Sequence, residues 1–148
     1  MATAFDELID RLKRVEIELS KTLVTVINDN NKELEDAQRD QMSVGKNALD
    51  KNIGRLRNQR YASIKKAKGG KAPMNIADLK NKGSFYRGIK ASANQTTFTL
   101  TSTDSKKDLL IQKYTNEIFG YSSKTFTLVK DEILVPGMIT DIRKQLNI

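Results

Sequence analysis

The stretch GSFYRGIKASANQTTFTLTS, Gly83 to Ser102, decides how the rest of the chain is to be arranged. Phe85, Arg87, Ile89 and Ala91 alternate with Tyr86, Gly88, Lys90 and Ser92, and the first set is mostly apolar. After Ala93-Asn94-Gln95, the run Thr96 to Ser102 alternates threonine with Phe98 and Leu100. Two runs of period two, rich in β-branched and aromatic residues and joined by a short polar turn, predict an antiparallel hairpin. Phe98 and Leu100 are then expected to face the core. Gly83 is expected to supply the backbone conformation that turns the chain into the first strand. In a strand Phe85 and Tyr86 face opposite sides, so at most one of them is free to stack on a ligand.

Glycine beside lysine at Gly83 first suggests a phosphate cradle. A Walker-type loop needs two glycines separated by four residues, then Lys-Ser/Thr and a helix. Here Gly83-Ser84 leads toward a strand, and Gly69-Gly70-Lys71 is followed by Ala72-Pro73, so nucleotide binding is not expected.

Toward the N-terminus, apolar residues recur at Phe5, Leu8, Leu12, Val15, Leu19, Leu23, Val26 or Ile27, and Leu34, spacings of three and four that mark one helical stripe. Thr3 is a candidate N-cap, with Asp6 and Glu7 in the first turn. A helix over residues 1–42 would be roughly 60 Å long. That exceeds what a compact domain needs, so it bends near Asn28-Asp29-Asn30-Asn31 or packs partly on a neighbouring subunit. The stripe itself reads as core packing along at least one half.

Residues 43–82 form a basic excursion or arm punctuated by Gly69-Gly70 and Pro73, with a short helix possible around 58–67. Beyond the hairpin, Asp104 and Ser105 can cap a helix through Leu109, Leu110, Lys113 and Tyr114, and Ile118-Phe119-Gly120 can close as a strand or turn. Phe126 to Leu134 fits strand or helix. Pro136-Gly137 is expected to break the chain before a last helix carrying Met138, Ile139, Ile142 and Leu146. The expectation is one α+β domain over 1–148: a long N-terminal helix, a basic arm, and a core over 83–148 with a small antiparallel sheet and C-terminal helices on one face.

Composition narrows function. Among the 148 residues there is no Cys, His or Trp. Disulfides, thiolate or imidazole zinc sites and the usual Ser-His or Cys-His nucleophiles cannot be built. An enzyme would have to work through carboxylates or lysine, and none is expected; nor is a cofactor or metal. Asp104, Asp108 and Glu117 read as a cap and a solvated face rather than a cation site, because Lys106 and Lys107 intervene. Neither a membrane span nor a signal peptide is expected, since no run of about 18 apolar residues and no basic-then-apolar leader occurs.

Charge is unevenly placed. Residues 1–42 hold six basic and ten acidic side chains, net −4; residues 43–90 hold thirteen and two, net +11; residues 91–148 hold seven and six, net +1. Arg55, Arg57, Arg60, Lys65, Lys66, Lys68 and Lys71 carry most of the excess and could face a neighbouring subunit or DNA. A solvated, mobile loop is the plain alternative. Tyr61, Phe85 and Tyr86 lie among basic residues, but no helix-turn-helix, RNP-type or KH-type signature accompanies them.

Leu56, Tyr61, Lys65, Pro73, Asp78-Leu79, Gly83-Ser84-Phe85 and Ile89, followed by Ser102-Thr103-Asp104, Tyr114 and Ile118-Phe119-Gly120, form a pattern of short motifs across 53–118. This pattern resembles the small neck and tail-completion proteins of tailed bacteriophages, including the virion-morphogenesis family of Mu-like phages. Lys82 stands where that family usually has Thr, and Gly88 where a small hydroxyl residue is common. The resemblance implies a non-enzymatic virion protein, assembled in the host cytoplasm. Its copies would form a homo-oligomeric ring at the head–tail connector or the tail end. The partners implied are the chain itself, neighbouring connector or tail proteins and DNA in the lumen, with no membrane. Gly83 would launch the sheet used in the ring, and the basic block would reach a neighbour. The alternative expectation is a nucleic-acid-binding accessory protein using residues 55–71.

Overall fold

The computed structural model describes residues 4–148; Thr3, the candidate N-cap, and the Phe5 side chain lie outside the described residues. Helices and a small antiparallel sheet make up an α+β chain. The span expected as one helix over 1–42 is two: α1 over Ala4–Asp29 and α2 over Asn31–Ser43. The break falls at Asn30, within the asparagine run. Its side-chain Nδ2 donates to the Val26 carbonyl at 2.7 Å, a local side-chain bond to an oxygen that also accepts from the Asn30 N–H at 3.2 Å.

Asn58 caps α3, Gln59–Ala67, by accepting from the Tyr61 N–H. Next come a single helical turn, α4 over Ser84–Arg87, then β1 over Ile89–Ala93 and β2 over Phe98–Ser102. The hairpin is antiparallel with Ile89 opposite Ser102 and Ala93 opposite Phe98. Its four-residue loop is held by the Asn94 carboxamide oxygen, which accepts from the Thr96 and Thr97 N–H groups. The hairpin is present, but its first strand starts at Ile89 rather than at Phe85. A helical turn, unlike a strand, projects Phe85 and Tyr86 as neighbours, and both are buried. Neither ring is free to stack.

The sheet has only two strands, and the outer edge of β1 would be left unpaired without cover. Side chains from the first two helices take it up. Asn28 donates to the Ala93 carbonyl and accepts from the Ala93 N–H, at 3.3 and 3.2 Å. Glu35 accepts from the Ala91 N–H, and Arg39 donates to the carbonyls of Ile89 and Tyr86. Buried Glu35 is in turn paired with Arg39 at 3.0 Å. On the other side of α2, Gln38 donates to the Ile118 carbonyl and accepts from the Gly120 N–H; Gln41 does the same with Gly120 and Ser122. A strongly polar helix is thus central to the fold because its amides and charges stand in for missing strands.

After α5, Lys107–Tyr114, a 3₁₀ turn at Asn116–Ile118 leads to α6, Ser123–Val129. A π-helical segment, Lys130–Leu134, then runs into α7, Val135–Leu146. The ambiguous 126–134 span is therefore helical, and Pro136 does not interrupt it. Pro136 lies in the first turn of α7, where a missing N–H is tolerated, and the wide π turn precedes it. Gly137 permits close helix contact, since a Cβ there would lie 2.6 Å from Val26 Cγ1. Two apolar clusters result: Met42, Ile53, Ala77, Phe85, Tyr86, Ile89 and Ile118 in one, and Ile27, Leu34, Ala91 and Val129 in the other. No helix among the described residues is long and apolar enough to cross a membrane.

Candidate functional site

The basic block is built into the fold unevenly. Arg55 forms a single antiparallel bridge with Ile76, and its side chain is exposed. Lys65, on α3, turns inward to form an ion pair with buried Asp78, whose carboxylate also accepts from the Lys80 N–H. Lys66 donates to the carbonyls of Gly70 and Ala72, closing the loop after α3. Both lysines are spent on internal partners. Arg57, Arg60, Lys68 and Lys71 are exposed, and among the described residues no carboxylate lies within ion-pair distance of these four or of Arg55. The block therefore divides into two anchors and five outward cations.

Gly83 sits at φ +83° and precedes the helical turn α4. It does not launch the first strand directly, because Ser84–Arg87 intervenes. Tyr86, held by this turn, donates its hydroxyl to the Asp78 carbonyl. Burial, with Asp78 and Asp40 nearby, drives its ionisation far above the ordinary tyrosine range, so it stays a neutral donor. Asp104 accepts from the Lys106 N–H at 2.8 Å; that bond, with the Ser84 side chain, holds its carboxyl below the usual range.

An apolar surface is the second feature; it belongs to the helical stripe expected to pack in the core along at least one half. Val15, Thr22 and Val26 form the face of α1 that is buried, on the side where Gln145 reaches Thr22, Gly137 meets Val26 and Arg11 donates to the Leu146 carbonyl. Leu8, Leu12, Leu19 and Leu23 form an adjacent line on the same helix and remain 36% to 49% exposed. Two apolar lines at nearly the same spacing merge into one in the sequence. Only the position of α7 separates them. The exposed line runs at Leu23 into a groove of about 260 Å³ between Ile27, Leu34, Phe98, Phe126 and Leu134. Phe98, expected to face inward, is 40% exposed at this rim and stacks on Tyr121 at 6.0 Å. Leu100 is half-buried against the second apolar cluster. Phe126 and Leu128 are likewise exposed.

No family model matches the chain, and no curated protein or solved structure is significantly similar to it.

Proposed function

We propose that the chain is a structural, non-enzymatic virion protein of a tailed bacteriophage, one copy of an oligomeric ring at the head–tail connector or the tail end. The observation that carries the reading is the leucine line of α1 running into the Phe98–Phe126 groove. Apolar surface this continuous on a soluble chain marks a protein contact, and burying each half-exposed leucine adds on the order of 1 kcal/mol. The N-terminal 42 residues, net −4, and the five outward cations of residues 55–71 supply opposite charges for a head-to-tail contact. Such heterologous contacts close into a ring when the rotation between copies permits. The resemblance to the neck and tail-completion family supplies the place in the particle, the virion, and the partners, neighbouring connector or tail proteins.

The test is sedimentation velocity of the purified chain against an Arg57→Glu/Arg60→Glu/Lys68→Glu/Lys71→Glu variant. Lys65 and Lys66 are spared because their internal bonds would be lost. The reading expects assembly to fail in the variant with helical circular dichroism unchanged. Equal assembly by both would remove the charge-docked interface. The same five outward cations favour a second reading, a nucleic-acid-binding accessory protein. It expects a monomer or small oligomer whose DNA affinity falls steeply with salt.

A further inference from the structure

We propose that the cleft between α3, the 79–85 turn and α5 holds the phosphodiester backbone of a nucleic-acid strand. Lys80, Lys82, Lys106 and Lys113 would meet phosphates, with Tyr61 and Tyr114 against sugar or base. Three separate segments bring these residues to the rim of one cavity of about 190 Å³, Lys80 standing at its edge with Nζ 6.0 Å from the Tyr86 ring and bordering a second cleft that holds Asp36, Asp40 and Asp78. The turn carrying Lys80 and Lys82 is bracketed by positive φ values, +58° at Leu79 and +83° at Gly83. Among the described residues none of the four lysines has a carboxylate within ion-pair distance, and no carboxylate lines the cleft. Asp104, anchored by the Lys106 N–H at 2.8 Å, lies close enough for its carboxylate to offset part of the Lys106 charge. Lys65, the fifth lysine of the lining, is neutralised by Asp78 and marks the contrast.

Four like charges around an apolar floor repel one another, and low-dielectric walls focus their field outward. A phosphate chain relieves that repulsion. The cavity is smaller than the roughly 300–1,000 Å³ of sites that enclose a small molecule. A strand lying across the mouth, with one group dipping in, suits it better than an enclosed nucleotide. Tyr61 is exposed and Tyr114 half-buried, so an approaching base or sugar can reach both rings. Lys113 Nζ lies 5.0 Å from the Tyr114 ring, so charge and aromatic surface are presented together. The inference is independent of the ring reading and uses other residues than the five outward cations.

Fluorescence anisotropy with labelled oligo-dT, oligo-U and duplex DNA tests it on the full chain. Four phosphate contacts to a single strand give a log–log salt slope near −2.8, about a fifty-fold loss of affinity between 50 and 200 mM salt. The Lys80→Gln/Lys82→Gln/Lys106→Gln/Lys113→Gln variant is expected to lose most of that slope with unchanged circular dichroism. Tyr61→Ala should weaken single-strand binding roughly 5- to 160-fold. Binding of oligo-dT alone assigns DNA, of oligo-U alone RNA, and of both the shared backbone. Absence of binding at 50 mM salt, preference for the duplex, or a wild-type slope in the four-lysine variant would overturn the proposal. Reading the same slope on Leu12→Gln/Leu19→Gln, which breaks the apolar line without adding charge, separates loss of the ring from loss of the cleft.

Discussion

A side chain at Gly83 would have to accept φ +83° and place its Cβ 3.1 Å from Arg87 Nη1. A β-branched residue there is a steric outlier, and left-handed strain costs about 1–3 kcal/mol. Gly83→Val is expected to lower the melting temperature by several degrees; a midpoint equal to wild type would refute the turn geometry. Gln38, fully buried, satisfies one carbonyl and one N–H of the 118–120 segment. Gln38→Leu strands both, and two buried unsatisfied groups cost about 2–6 kcal/mol together. Urea unfolding should show a loss in that range, whereas a loss under about 0.5 kcal/mol would mean water replaces the amide. Gly83 was legible as a turn residue because glycine between polar neighbours admits few other roles. Gln38 was not, because its partner lies about 80 positions away and a glutamine on a polar helix reads as solvent-facing.

Among the elements, the hairpin was legible from its alternation, and its partner strands pair close to where Thr96–Ser102 suggested. Its start was misplaced because Phe85-Arg87-Ile89 satisfies period two as well as it satisfies one helical turn followed by a strand. The sequence left a bend at the asparagine run and packing on a neighbouring subunit as alternatives for one long helix, and the structure divides that helix at Asn30. Pro136-Gly137 was read as a break, yet the π segment before it absorbs the proline and the glycine admits Val26. Gly137→Leu is therefore expected to wedge α7 from α1, costing about 1–3 kcal/mol from overpacking. Hydrogen exchange should then speed up in both helices; acceleration confined to α7 would contradict that contact.

Over the whole molecule, the charge asymmetry was legible in the sequence, but which cations face outward was not. Lys65 and Lys66 look identical in sequence to Lys68 and Lys71, and only the fold brings Asp78 and the Gly70 and Ala72 carbonyls to the first two. The leucine line was hidden for a related reason: its outward face is defined by where α7 is not. On the ring reading, this line and the groove it enters are buried between copies. Native mass spectrometry of the purified chain, alongside Leu12→Lys/Leu19→Lys, decides between burial and exposure. One closed oligomer is expected for the wild type and a folded monomer for the variant. A wild-type monomer at tens of micromolar, or a variant that assembles as the wild type does, would contradict it.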